Sequence, residues 1–433
     1  MHLDKVEIIE KEAVSNIFQS LKIIGGKIME SYNFILFVAI ILLSTKVLGL
    51  ISKRVHLPAV VGALMAGVIL GPSFLNIISL EGDAGIFIEY AAEIGVIFLM
   101  FSAGLGTELS ELKENIVASA VTAILGVIVP LIGGTIAYAV FFHPDMSNYN
   151  ELLKSFFIGV VLTATSVSIT VETLRELGKL KGKVGTTILG AAVIDDILGI
   201  IVLTVIMSLK NPEVKPATVF MKIGLYFIFL AVLVFITMKI KPILEKQNQK
   251  RRIAIFSVAF ALILSYISET IFGIADITGA YFAGLMLCNT KIEPYVDRKI
   301  EIESYMFFSP IFFASVGLKV QINGMTAAEW IFSVVLLIIA IITKIVGCGL
   351  GSRICKCTNK EAFQIGVGMI SRGEVALIVA QKGYQANLLD NTLFAPIVIV
   401  VIVTTLLTPI LLGMVMQDKK KSSIGKNSKL QKA

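Results

Sequence analysis

Long apolar runs separated by short polar breaks dominate this chain, and the runs are bilayer-sized rather than the narrow stripes of a soluble helix surface. Apolar stretches of roughly 17–25 residues predict about thirteen transmembrane helices, starting near residues 32, 57, 86, 115, 154, 185, 217, 253, 275, 304, 329, 361 and 391. The ninth and tenth runs are short, and the second opens on Pro58. The pattern predicts an all-α polytopic membrane protein. Residues 1–31 carry Asp4, Lys5, Glu7, Glu10, Lys11 and Glu12 and lack the basic flank, apolar core and small-residue cleavage site of a signal peptide. They read as an exposed N-terminal arm, followed by a membrane domain over 32–416 and a basic tail over 417–433.

Composition agrees with the pattern. Of 433 residues, 56% are hydrophobic and 16% charged, against about 25% charged in soluble domains, so lipid is the solvent for much of the surface. The net charge of +7 could suggest a nucleic-acid partner, but its distribution excludes one. Lys53 and Arg54 follow the first run, Arg175, Lys179, Lys181 and Lys183 the fifth, Lys246, Lys250, Arg251 and Arg252 the seventh, and Arg353, Lys356 and Lys360 the eleventh. The intervening loops are nearly bare of cations. The positive-inside rule then places the odd-numbered loops and the C-terminus in the cytoplasm and the N-terminus outside. Cys288, Cys348, Cys355 and Cys357, with His2, His56 and His143, show no metal-ligand spacing.

Polar residues inside the apolar runs carry the candidate chemistry. Asp195 and Asp196 interrupt the sixth run, where one aspartate at mid-membrane costs roughly 2.5–3.5 kcal/mol and therefore points to an ion or proton path. The fifth run contains Thr163, Ala164, Thr165 and Ser166, a hydroxyl-rich stretch whose side chains can replace backbone bonds in a local unwinding. The twelfth has a matching interruption at Ser371, Arg372, Gly373 and Glu374. Two broken spans in corresponding halves are the mark of inverted-repeat transporters, with spans four to six matching spans eleven to thirteen. Arg372 and Glu374 are expected to compensate half-helix ends and to pair with each other or with neighbours. Lys344 lies inside the eleventh run and needs a counter-ion there, for which Asp195 or Asp196 is available. Consecutive helix residues project about 100° apart, so the two aspartates face different partners. One can meet Lys344 while the other faces the broken helix, and sodium and protons would then compete for the same charges. Thr165, central in the suspected unwound turn, is the expected hard-oxygen ligand for an alkali cation. The glycines at 347, 349 and 351, like those at 279 and 284, read as close helix packing.

Taken in order, Thr163 to Val167, Ile194 to Gly199, Gly279 to Gly284, Pro310 to Gly317, Lys344 and Ser371 to Glu374 resemble bacterial sodium/proton antiporters of the monovalent cation:proton antiporter-2 family, NapA type. The resemblance runs from about residue 32 to residue 416 and rests on the ordered set rather than on one motif. It implies an inverted-repeat fold with two crossing broken helices, and a homodimer in which a core bundle moves against a dimerisation domain. It also implies Asp196 as the main ion-binding and proton-binding residue, Asp195 as its partner, and Lys344 as the lysine paired with Asp195. Na+ bound at Asp196, Asp195 and Thr165, with Li+ as a second transported cation, would exchange electrogenically for two protons across a bacterial cell membrane, with no resident cofactor.

Two rivals share features of this pattern. Potassium efflux proteins of the same fold usually carry a soluble domain after the last span, for which residues 417–433 are too few, although a K+/H+ antiporter without one remains an alternative. An intramembrane aspartyl protease also buries two carboxylates, but they must converge on one water, whereas adjacent residues on one helix diverge.

Overall fold

The computed structural model describes residues 32–416 apart from 56, 81, 146, 211–215, 247, 248 and 320–324. The expected N-terminal arm and C-terminal tail lie outside the described residues. The described chain is helical throughout: α1 (Tyr32–Arg54), α2 (Ala59–Leu70), α3 (Gly82–Leu105), α4 (Leu109–Phe142), α5 (Tyr149–Thr163), α6 (Val167–Glu176), α7 (Lys183–Lys210), α8 (Pro216–Glu245), α9 (Arg251–Ile267), α10 (Asp276–Leu287), α11 (Glu293–Glu303), α12 (Ser309–Leu318), α13 (Ala327–Ile354), α14 (Asn359–Gly368), α15 (Glu374–Gln385) and α16 (Asn391–Val415). Single π-helical turns extend α9 over Ser268–Phe272 and join α11 to α12 over Ser304–Phe308.

Among the described residues, nine helical spans are long and apolar enough to cross a membrane, with α5 and α6 together forming one of them. The runs expected near 57, 275, 304 and 361 are shorter pieces instead. The 12-residue helices α2 and α10 reach only about 18 Å at about 1.5 Å per residue, short of the roughly 30 Å hydrocarbon layer. Polar and extended breaks divide what composition alone reads as continuous runs, whereas the π turns keep helices continuous.

Hydrophobicity serves two purposes in these spans. In α5–α6, 83% of the most apolar window is buried within the protein, against 11% in α8. The first is an interior element, while α8 presents Phe227, Ile228, Val232 and Phe235 outward, as a lipid-facing helix must. Small residues set the closest helix approaches. An added Cβ at Gly104 would strike the Tyr281 carbonyl, and one at Gly284 the Phe101 carbonyl, so α3 and α10 pack backbone to backbone. Gly347 and Gly351 bring α13 equally close to Leu125 and Thr122 of α4, but Gly349 has only ordinary contact space. The packing reading therefore holds for two of those three glycines.

The arrangement that positions the polar residues is built from α4–α7 and α13–α16. α4 packs against α5, α7 and α13, α13 against α14 and α16, and α7 against α5, α6 and α14. The aspartate helix thus lies beside both interrupted spans.

Candidate ion-binding site

Each interrupted span is a pair of half-helices with an extended break. Residues 164–166 separate α5 from α6, and residues 369–373 separate α14 from α15. Opposed helix ends leave backbone groups without intrahelical partners in a place where water cannot serve them. The two breaks satisfy one another. Ser166 N–H donates to the Ser371 carbonyl at 2.7 Å. Thr170 Oγ1 on α6 donates to the Gly368 carbonyl at the end of α14, at 2.8 Å. The Arg372 guanidinium donates to Leu162 O in the last turn of α5 at 2.8 Å, to Ile370 O at 2.9 Å and to Ala340 O on α13 at 3.1 Å. Thr405 of α16 donates to the Arg372 carbonyl.

Arg372 therefore compensates half-helix ends, donating to carbonyls on three segments. The side chain of Glu374 lies outside those described, so the expected pairing between the two has no counterpart among the described contacts. A cation at the carbonyl end of α5 also meets the negative end of that helix dipole.

Beside the crossing, α7 holds Asp195 and Asp196 at 2% and 6% exposure, and α13 holds Lys344 at 0%. Lys344 Nζ donates to both carboxylate oxygens of Asp195, at 3.1 and 3.2 Å. Neither charge is tolerable alone at this depth, and together they form a compact ion pair. The surroundings make room for it. A Cβ added at Gly126 of α4 would sit 2.6 Å from Cys348 Sγ, one turn beyond Lys344 on α13, and in ordinary contact with Lys344 Nζ at 3.8 Å, so this glycine lets α4 approach α13 closely beside the lysine. Asp196, one residue on, points elsewhere on the helix, as the 100° step requires.

The hydroxyls of the fifth span divide by role. Thr163 Oγ1 bonds back to Val160 O at 2.7 Å, closing the last turn of α5. Ser166 Oγ lies 3.2 Å from Ser168 Oγ. Thr165 Oγ1 is buried without a hydrogen bond of ordinary geometry, yet it is close enough to influence the Asp195 carboxylate. Thr165, Ser166 and Thr170 face Ile188, Ala192, Gly368 and Met369 across a closely packed seam that leaves no space for a water molecule. The buried Ser371 hydroxyl is likewise without a hydrogen-bond partner. Chemically, the site offers two carboxylates, two fixed cations and oxygen atoms suited to a small hard cation.

Sequence reasoning did not single out Thr170, Thr405 or Gly126 as supports of the site. Thr170 and Thr405 carried a signal, since each is a hydroxyl within an apolar run. Gly126 carried none, because its importance is the close approach of Cys348 on α13.

Comparisons with known proteins agree with this geometry. Residues 38–417 match the transmembrane sodium/hydrogen exchanger family. The Na(+)/H(+)-K(+) antiporter GerN of Bacillus cereus is 39% identical over 396 residues, covering 90% of this chain and 98% of that protein. A Na(+)/H(+) antiporter of Enterococcus hirae is 38% identical over 385 residues, covering 88% and 97%. The solved structure of the sodium proton antiporter MjNhaP1 from Methanocaldococcus jannaschii shares the fold, with a TM-score of 0.67 at 18% identity, over 89% of this chain and 97% of that one. Nearly full-length similarity of sequence and of fold, around buried charges at two crossing breaks, has one reading: the chain belongs to the transmembrane sodium/hydrogen exchanger family.

Proposed function

We propose that this protein is a secondary active transporter that exchanges cytoplasmic Na+, and Li+ as a second cargo, for external protons by alternating access. The observation that carries this reading is the buried pair of Lys344 and Asp195 with Asp196 adjacent, beside two mutually satisfied helix breaks.

Charge balance suggests the coupling. Asp195 and Asp196 offer two negative charges, and Lys344 and Arg372 two positive ones. A bound Na+ adds a charge that a low-dielectric site tolerates only if positive charge leaves. A proton on Asp196 and a sodium ion at Asp196 are therefore alternatives, with Thr165 and carbonyls of the break completing the cation's oxygen shell. Sodium near Asp195 also weakens that residue's attraction for Lys344, whose ammonium can then release a second proton. Two protons per sodium ion follow, and the exchange is electrogenic. On this reading the chain is of the NapA type of the monovalent cation:proton antiporter-2 family and works as a homodimer with no resident cofactor. The alternating cationic loops put the C-terminus in the cytoplasm and the N-terminus outside.

A second reading has a specific support. GerN is described as a Na(+)/H(+)-K(+) antiporter, which makes K+ a candidate coupling ion here as well. Reconstitution into proteoliposomes separates the readings: the internal pH change is recorded on adding Na+, Li+ or K+, with and without a valinomycin clamp. The proposal expects responses to Na+ and Li+. A response to K+ alone would replace it with the potassium reading, and no response to any of them would remove both.

A further inference from the structure

At the end of α6 away from the aspartates lies a contact that the ion chemistry does not use. α2 starts behind Pro58 and no local side chain caps it, although its first N–H groups have no intrahelical acceptors. Glu176, the last residue of α6, supplies one: Ala59 N–H donates to its Oε2 at 2.5 Å, and Val60 N–H acts on the same carboxylate. A carboxylate in this position also meets the positive end of the α2 dipole.

The two helices joined by this cap touch each other and share α16 as a neighbour, but their other anchors differ. α2 is fixed to α1 and α12, because Gly62 presses on the Leu48 backbone, Gly67 on Ala314 and Gly317 on Leu64, each leaving no room for a Cβ. α6 is tied to the broken-helix crossing through Thr170 and Gly368 and packs against α7 and α16. Between them runs an open groove of about 290 Å3, with Leu42, Ala63 and Phe313 on one wall and Glu172 and Glu176 on the other. Lys53 of α1 acts on both carboxylates, Glu301 of α11 on Glu172, and Arg175 lies 3.6 Å from Glu172. Glu176 thus reaches across a loosely filled seam to hold main-chain groups on its far side.

We propose that Glu176 is a positioning residue of the transport cycle, a latch between α2 and the aspartate-bearing bundle that is made in one position of the bundle and broken in the other. The proposal rests on the exchange reading above and adds to it the residue that sets the balance between positions. If α6 moves with the aspartates past α2, the carboxylate has to release its N–H groups, because a hydrogen bond does not survive at 3.6 Å. The latch touches neither aspartate nor lysine, so its strength enters the conformational equilibrium rather than the ion site. Helix caps of this kind shift an equilibrium by roughly two- to thirtyfold. Glu176→Ala should move the maximal rate and the apparent sodium constant together by that order, and Glu176→Gln, which keeps an acceptor oxygen without the charge, should move them less in the same direction.

The direct test joins the two sides. Full-length protein carrying Ala59→Cys and Glu176→Cys is reconstituted, treated with a short bis-methanethiosulfonate reagent and checked by mass spectrometry for the cross-link, with the untreated variant and the identically treated parent as references. The expected result is that the linked protein stops exchanging and that dithiothreitol restores exchange. Full-rate exchange by the linked protein would overturn the latch, as would failure of the link to form, or wild-type constants in both Glu176→Ala and Glu176→Gln. A parent without sodium-dependent flux would instead remove the exchange reading, which keeps the two failures apart.

Discussion

Lys344 is the residue whose chemistry and structural role are hardest to separate, because its ammonium contacts both oxygens of Asp195. Removing one partner of a buried ion pair leaves an uncompensated charge and costs about 3–5 kcal/mol, so Lys344→Ala should lower the thermal midpoint of the solubilised protein. Lys344→Gln keeps a donor for Asp195 but carries no proton. Reversal-potential measurements on it should give one proton per sodium ion, and an unchanged ratio of two would make the lysine purely structural. Thr165 is the complementary case. Its hydroxyl is buried without an ordinary hydrogen bond, so Thr165→Val leaves folding contacts largely intact. Hydrogen bonds to charged groups are worth about 1.5–3 kcal/mol, and a lost hard-oxygen ligand of similar worth should raise the apparent sodium constant by roughly tenfold or more. Flux titrated with Na+ checks this, and an unchanged constant would assign the ligand role to the carbonyls of the break or to a neighbouring hydroxyl. At this scale the sequence was informative wherever a charge or hydroxyl stood in an apolar run. Asp195, Asp196, Lys344, Thr165 and Arg372 were visible for that reason, because lipid makes each of them costly. Gly126 was not, since room for a neighbour leaves no mark on the residue that provides it.

Among the elements, the two broken spans depend on contacts between them more than on their own helix propensity. Arg372 serves carbonyls on α5, α13 and its own break, and the Ser166 N–H closes on Ser371 O. The contacts that join the two breaks, Arg372 to Leu162 and Ser166 to Ser371, link residues more than 200 positions apart in the chain, which is why the breaks could be read from local composition but their mutual satisfaction could not. Span lengths were legible only in part for a related reason: extended breaks are cooperative outcomes of packing, and apolar composition looks the same on either side of them. Close helix approach makes a separate prediction. α4 and α5 meet where an added Cβ at Gly159 would strike the Leu131 carbonyl and come within 2.8 Å of Thr135 Oγ1. The obstacle is backbone, so it cannot rotate away. Gly159→Ala should destabilise the protein by about 1–3 kcal/mol, the usual cost of overpacking a tight interior. A thermal midpoint equal to that of the parent would show that α4 and α5 separate more easily than their packing implies.

For the whole molecule, the proposed stoichiometry makes transport a response to voltage as well as to ion gradients. Two protons inward for one sodium ion outward carry one net positive charge into the cell. An interior-negative potential therefore drives sodium extrusion, with about 2.3 kcal/mol per elementary charge per 100 mV. At fixed ion gradients, the equilibrium point should move when the vesicle potential is clamped first at zero and then inside-negative. A stationary point would make the exchange electroneutral. Beneath both outcomes lies the central claim that one carboxylate on α7 is the place where sodium and proton exclude each other. The most direct measurement is sodium-dependent proton flux in proteoliposomes containing Asp196→Asn, compared with the parent at equal reconstituted amounts. The substitution keeps the size of the side chain but removes both its proton and its charge. The account predicts that exchange is abolished while the protein still assembles in the membrane, and sodium-driven flux near the parental rate would contradict it.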